Sequence, residues 1–425
     1  MTQYQECAKL SEVNSKLTKE VLTSILSKVC DGKKVQLIDW TFNEGSSRGD
    51  NYLSNVYKGK INGAIDGDPK KYVEANIVVK SMPKNPGTRK TLRCADFFSN
   101  EIAFYTEIVS KFDNFLAEKG QSDLLHIPRY IISCNDSEYG FIVLEDASSL
   151  GFHTILRENC LDWEEFSVVL KILSKFHAIS FAYKDQRNDE FLELTNCVKE
   201  VLFATEYWDW YKGYHEKMET VIKHALAAEY PDSKADKRYN SYKSGELFNI
   251  CIELCKKQHA PTSIINEGDC WVPNFLIRDE QNGKQAIMLD FQLARCASPI
   301  TDLSFLIYAC TSKSFRDKYF DEILKMYHTE LSNIIKLLGS DPEKLYPWDL
   351  FIKEVKEQSV FGVFAALDAI PLCLMDVSEF SLDNAVTGDE AVDCGDAMHF
   401  SYIATASGRQ RIADVIVEAV EKGYI

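Results

Sequence analysis

Residues 266–274 read NEGDCWVPN, and residues 289–292 read LDFQ. Asp269 and Asn274 stand five positions apart, and Asp290 follows on the next short apolar run. A carboxylate, an amide oxygen and a second carboxylate in this order suit one kind of chemistry. The first can accept or align a hydroxyl proton, while the other two hold a hard divalent cation through oxygen. Phosphoryl-transfer sites place an Asn five positions after their catalytic Asp and a metal-holding Asp on the following strand. Turn-forming Asx chemistry in loops is the plain alternative for each residue alone, and the joint spacing argues against it.

Bulk properties limit the field. The chain has 425 residues, enough for two domains or one two-lobed enzyme. With 45% hydrophobic and 26% charged residues it has the composition of a soluble globular protein. Lys and Arg number 48 against 64 Asp and Glu, a formal charge of -16. Such an acidic chain is repelled by nucleic-acid backbones and anionic lipid, so neither is an expected partner. The opening MTQYQECAKLSEVN is polar and lacks the apolar core of a secretory signal. The longest apolar stretch, SVFGVFAALDAIPLCLM at 359–375, is broken by Asp368 and Pro371 and reads as a buried helix, not a membrane span. Thirteen cysteines occur without a CxxC pair, which points to reduced thiols and a cytoplasmic location. Cys251 and Cys255 share a helical face, but no His or Cys partner stands at zinc-site spacing.

Periodicity orders the rest. Residues 12–29 predict an opening amphipathic helix. Residues 35–42, 53–61 and 73–82 predict three strands, the first two joined by the turn-prone loop NEGSSRGDNY at 43–52. The segment PKNPGTRK reads as a loop, 97–115 as a helix, and 127–133 and 140–144 as two more strands. Helical patterns dominate beyond 150, most clearly at 163–183, where Phe166, Val169, Leu170, Leu173, Phe176 and His177 share a face. Short strands interrupt them at 263–265, 274–277 and 285–289, and helices resume from 315. The polar, acidic segment 381–396 reads as a loop.

Strand Lys80 and helix Glu101 complete the order that a kinase-type site requires: hairpin, Lys, Glu, Asp, Asn, Asp. Gly45 and Gly49 in the hairpin would let its backbone approach phosphate, although ordinary turn glycines explain them too. Lys80 would direct its ammonium at nucleotide phosphates and Glu101 would hold it by an ion pair. A solvated strand-end Lys and a solvated helix Glu are the plain alternatives. The segment EYWDWYKGY, 206–214, suits either the floor of an apolar acceptor pocket or helix core packing.

Several stretches together resemble the ecdysteroid kinase-like (CHK kinase-like) family of small-molecule kinases, related to choline and aminoglycoside phosphotransferases. They are GDNYLSNVYKG, IVVKSMP, FFSNEIAFY, FIVLEDASSLGF, GDCWVPN and LDFQLARCASPITDLSF, and they fall roughly within residues 40–330. The resemblance implies an α+β, protein-kinase-like two-lobed fold. A small antiparallel β N-lobe with one key helix would occupy 1–145, and a larger, mostly helical C-lobe 146–425. It implies a phosphotransferase acting on the alcohol of a small organic acceptor, with ATP and Mg2+ as cofactors and an ecdysteroid, other steroid or xenobiotic alcohol as acceptor. Asp269 would be catalytic, Asn274 and Asp290 metal ligands, and the backbone at Leu144, Glu145 and Asp146 would meet the adenine. Asp302, which a plain N-cap explains well, would brace the catalytic loop. His177 matches a His common in the family's long C-lobe helix, yet on an apolar face it reads as a satisfied core residue.

One position departs from the pattern. Related kinases carry His before Gly-Asp, and here stands Glu267. A second carboxylate near Asp269 raises one pKa and repels, although bound magnesium would offset this. Glu267 leaves the metal ligands and the base in place, so an active enzyme is the main expectation. A catalytically weak or silent nucleotide-binding pseudokinase and a choline/ethanolamine-type kinase are the alternatives, and a plain helical scaffold without nucleotide binding is a third.

Overall fold

The computed structural model describes residues 9–45, 53–66, 68–375, 386–398 and 400–425. Its contacts form two compact units. The first comprises Met1–Ile102, Pro128–His153 and Leu382–Val392; the second comprises Ala103–Ile127, Thr154–Ser381 and Asp393–Ile425. The division is discontinuous, where the sequence reading draws a single line at 145/146.

The first unit is built on five antiparallel strands: β1 (Val35–Glu44), β2 (Asn55–Ile65), β3 (Asp68–Ser81), β4 (Tyr130–Cys134) and β5 (Phe141–Glu145). Their spatial order is β1-β2-β3-β5-β4, so β3 lies in the middle of the sheet. Lys80 there stands opposite Val56 on one side and Ile142 on the other. Alternation along the strands turns Phe42, Ile61, Ile77, Val79 and Val143 into one core, against which Leu22, Ile25 and Leu26 of the helix Lys19–Val29 pack. Full burial of each such side chain contributes about 1.5–3 kcal/mol. Gly59 is required by this packing, because a Cβ there would lie 2.3 Å from the ring of Phe42.

Two local expectations need correction. The opening helix is broken into Leu10–Val13 and Lys19–Val29. Buried Asn14 donates to Ser81 Oγ at 2.7 Å and accepts from the Lys16 N–H, and Thr18 caps the second helix through the Val21 N–H. These side-chain bonds to backbone and strand outcompete helical continuation. PKNPGTRK is not all loop: Asn85 caps a short helix, Pro86–Thr91, with Pro at its first position.

The second unit is mostly helical. Trp163–Gln186 begins with a capping box between Asp162 and Glu165, and its buried face packs on Lys313–Leu337. By length and composition it could cross a membrane, but it is largely buried as a core helix. The apolar stretch near 359–375 forms the buried helix Val360–Leu374, as expected. Strands β7 (Ile264–Asn266), β8 (Phe275–Glu280), β9 (Gly283–Met288) and β10 (Arg295–Ala297) frame the loops of the opening motif, and the two-residue β6 (His153–Thr154) precedes them. β8 and β9 form an antiparallel hairpin, while β7 pairs with β10, a strand absent from the sequence reading. Of the acidic segment 381–396, the described part is irregular until the short helix Cys394–Ala397.

Phe42→Ala should lower the stability of the sheet unit by about 3–5 kcal/mol, because the ring is wholly buried and its wall, Gly59, has no side chain to collapse inward. Urea denaturation followed by circular dichroism checks this.

Candidate active site

In the sheet unit, β3 delivers Lys80 to the interior, where its ammonium donates to Glu101 Oε2 at 2.6 Å. The two side chains are 9% and 1% exposed. The plain alternatives of a solvated Lys and a solvated Glu therefore do not describe them. A buried pair of this kind makes little net stability, yet losing either partner strands a buried charge. The arrangement fixes the position of a positive charge.

The same unit qualifies three other expectations. Gly45 carries its N–H to Val56 O at 2.8 Å, and a Cβ on it would lie 3.0 Å from Lys58 N, so the close approach of β2 accounts for the glycine. Gly49 lies outside the described residues. Leu144 is in the β5 ladder, and the N–H groups of Glu145 and Asp146 donate to Arg129 O and Asn76 O at 2.9 and 3.0 Å. Those two N–H donors are thus already used within the sheet. The Asp146 carboxylate caps the turn at Ala147–Leu150.

In the helical unit, residues 266–274 cross from β7 to β8 as a tight loop. Gly268 has φ +92°, and a Cβ there would lie 1.9 Å from Leu293 O, so no other residue fits. Asp302 lies in the first turn of Ile300–Cys310, whose N-cap is Pro299, so it is not the cap of its own helix. Instead its carboxylate accepts the Glu267 and Gly268 N–H groups at 2.7 and 3.1 Å. His177 Nε2 lies 3.2 Å from the same carboxylate, and Nδ1 lies 2.7 Å from Tyr327 Oη. A carboxylate only accepts, so Nε2 carries the proton and Nδ1 accepts from the Tyr327 hydroxyl. Burial holds that phenol well above its ordinary pKa, which keeps it a donor. His177 is thus a wholly buried core residue with both nitrogens satisfied.

Asp269 and Asn274 come together directly. Asn274 Nδ2 donates to the backbone oxygen and to Oδ2 of Asp269, both at 2.9 Å. The amide nitrogen being committed, Asn274 keeps its Oδ1 for other partners. Burial, then the neighbouring Asp290 carboxylate, pushes the Asp269 carboxyl up to about 7. That repulsion places Asp290 beside Asp269 electrostatically. Asp290 adopts φ +63°, a left-handed conformation rare for a non-glycine. The next residue, Phe291, is held between Phe104, stacked at 3.8 Å, and Phe176, tilted at 5.8 Å. The packed ring anchors the strained turn that aims Asp290. A hard cation fits this donor set of two carboxylates and an amide oxygen, and would relieve the repulsion.

Glu267 is wholly buried. Its Oε2 accepts the Asp269 N–H at 2.8 Å and the Cys270 thiol at 3.0 Å. Among the described residues Oε1 is buried with no hydrogen-bond partner. Burial, followed by Asp302 and Asp269, raises its carboxyl well above the ordinary glutamate range, which favours its neutral form. Glu267, Cys270 and Asp302 offer ligand atoms within 4.8 Å of one another. The Asp302 oxygens are already committed to two N–H groups and His177, and the trio reads as hydrogen-bonded bracing. Sequence reasoning missed Arg295, which is buried, pairs with Glu200 at 2.7 Å and donates to Gly268 O at 3.3 Å. Its one signal was its place in LDFQLAR, five positions after the metal-type Asp.

Gly268→Ala should cost about 3 kcal/mol or more, since strain at a positive φ adds to a backbone clash; the thermal unfolding midpoint checks it. Glu267→Gln should fold, and its stability relative to wild type should rise with pH. The unfolded wild-type chain ionises Glu267 in the ordinary range while the folded chain resists, so wild type binds more protons when folded and loses stability as pH rises through that window. Midpoints of the two proteins compared from pH ~5 to ~8 test the sign, and a margin that narrows with rising pH contradicts it.

A family model for the ecdysteroid kinase-like family matches residues 48–340. Among solved structures, an ethanolamine kinase from Plasmodium vivax is 11% identical with a TM-score of 0.41, covering 93% of this chain and 85% of the other. A choline kinase from Cryptosporidium parvum is 12% identical with a TM-score of 0.37, covering 92% and 91%. The GDP complex of an aminoglycoside 2'-phosphotransferase-IIIa variant is 12% identical with a TM-score of 0.35, covering 95% and 97%. No curated protein matches the chain. The sheet unit with its Lys80–Glu101 pair and the helical unit with its braced loop make an α+β, protein-kinase-like fold, and over more than half of its length the chain matches, and so belongs to, the ecdysteroid kinase-like family.

Proposed function

We propose that this chain is a small-molecule kinase that transfers the terminal phosphoryl group of ATP, with Mg2+, to a hydroxyl of a small organic acceptor. The observation that carries the reading is the hydrogen bonding of Asn274 to Asp269 on one braced loop, with Asp290 on the turn after β9 near enough to raise the Asp269 carboxyl, in a chain of the ecdysteroid kinase-like family.

Asp269 accepts or aligns the proton of the acceptor hydroxyl, and a carboxyl near neutrality suits that task. Positioned proton transfer of this kind contributes about 10²–10⁴-fold. Asn274 holds the Asp269 carboxylate by its amide nitrogen and, with Asp290, would hold the cation. Magnesium bound there would neutralise charge on the transferring phosphoryl group. Lys80, fixed by Glu101, supplies a positive charge for nucleotide phosphate oxygens. Asp302 and neutral Glu267 hold the loop backbone from two sides. An ecdysteroid, other steroid or xenobiotic alcohol is the acceptor favoured by the family's description and by the aromatic interior of the helical unit. The twelve cysteines among the described residues are all free thiols, which suits a reducing compartment, the cytoplasm.

A pseudokinase is the second reading, favoured by Glu267, whose buried carboxyl replaces a residue that related kinases keep as His. Purified protein incubated with Mg-ATP and a panel of hydroxylated steroids separates the two. Asp269→Ala should lower turnover by about 10²-fold or more while Mg-ATP still raises its thermal midpoint. Asp290→Ala should lose both turnover and most of that shift. A wild type that is inert with every acceptor yet stabilised by Mg-ATP supports the pseudokinase.

A further inference from the structure

The helix Val360–Leu374 is buried along nearly its whole length, yet Asp368, an acid in its middle, retains partial exposure together with Leu372 four residues on. One turn earlier on the same face stands Phe364, and a further turn back Phe361. The Tyr211 hydroxyl donates to Asp368 Oδ2. Burial pushes the Asp368 carboxyl up to about 7 in spite of that bond. The carboxyl is thus deep in the helical unit and still partly reachable from solvent. A second polar group is linked to it through the Tyr211 ring. His215 stacks on Tyr211 and leans on Phe364, with ring centroids 5.9 and 5.7 Å away, and its Nδ1 is buried without a hydrogen-bond partner among the described residues.

The face leads back to the catalytic loop. The Arg295 guanidinium lies 5.4 Å from the ring centroid of Phe361 and donates to Gly268 O, next to Asp269. Seven helical residues separate Phe361 from Asp368, a rise of about 10 Å.

We propose that Asp368 is the specificity-determining anchor of the acceptor subsite, where its carboxylate takes a second hydrogen-bond-donating group carried by an elongated, largely apolar ring alcohol at the end opposite the hydroxyl that is phosphorylated. This rests on the phosphotransferase reading above. A site built to accept a donor discriminates strongly against the analogue lacking it, because the buried acceptor is then left unpaired. The Tyr211 hydroxyl orients the carboxylate, and the rings of Phe364 and His215 supply flat apolar walls.

Three probes test it with the full chain: a steroid diol with hydroxyls at its two ends, the matching single alcohol, and the matching amino alcohol. Wild type should favour the diol or the amino alcohol over the single alcohol by tenfold or more in kcat/KM, and which of the two leads tells hydroxyl from amine. Asp368→Ala should erase that preference while kcat/KM for the single alcohol and KM for ATP stay within about twofold. Asp368→Asn, which keeps a partner for Tyr211, guards against a folding defect, and should lower the preference without lowering the thermal midpoint. Calorimetric binding of the same three compounds keeps the test independent of turnover. If no compound is phosphorylated but the donor-bearing ones bind tenfold tighter to wild type than to Asp368→Ala, the kinase reading fails and the subsite stands. Equal binding and equal turnover of all three by wild type, or an equal loss on all three in a folded Asp368→Asn, overturns the proposal.

Discussion

The pair of hydrogen bonds from the Glu267 and Gly268 N–H groups to the Asp302 carboxylate is the constraint on which the catalytic segment depends. The loop between β7 and β8 is too short to satisfy its own backbone, and it must turn at Gly268 with a positive φ. Asp302 resolves this from a rigid helix whose eleven residues are all buried. Charge-assisted bonds of this type contribute about 1.5–3 kcal/mol each, and an unmet buried N–H costs about 1–3. His177 and Tyr327 continue the chain of hydrogen bonds into the two longest helices, so the loop inherits the rigidity of the helical core.

Concentrating acids creates a second requirement. Asp269, Asp290, Asp302 and Glu267 converge, and four ionised carboxylates in such a volume would repel strongly. The fold answers in different ways at each. Asp302 accepts from two backbone N–H groups and His177, burial shifts Glu267 toward its neutral form, and Asp269 is held by Asn274 with Arg295 nearby. Asp290 stands on a left-handed turn that the stack of Phe104 on Phe291 holds in place. Strain at such a turn persists only where packing over-determines it. Glu267 in place of a His thus fits without an additional buried charge, and it keeps a loop-bracing role by accepting where an imidazole could donate.

The sheet unit shows the complementary arrangement, one cation placed by one acid. β3 lies in the middle of the sheet with Lys80 buried near its end, and Glu101 from the helix Cys94–Ala103 meets it. At the end of β5, where the resemblance implies backbone that meets the adenine, the Glu145 and Asp146 N–H groups donate to Arg129 O and Asn76 O. Ladder bonds between strands distant in sequence are invisible to a local reading, and so is the β7–β10 pairing of Asn266 with Arg295. The helix break at Asn14 has the same cause, since its partner Ser81 lies far along the chain.

By itself the sequence determined what is local or periodic: five strands by alternation, the long helix Trp163–Gln186 by its 3.6 period, the order Lys80, Glu101, Asp269, Asn274, Asp290 by spacing, and the buried character of the stretch near 359–375. It also exposed Glu267 as the odd residue. Tertiary structure alone decided the environment of Glu267, burial first and then Asp302, thirty-five positions away, which together favour its neutral form. It likewise gave the expected brace Asp302 its partners, the Glu267 and Gly268 N–H groups, and set Asp368 of the apolar helix beside Tyr211. Protonation state and hydrogen-bond partnership follow from the dielectric and the donors within a few ångströms, and only folding brings those together.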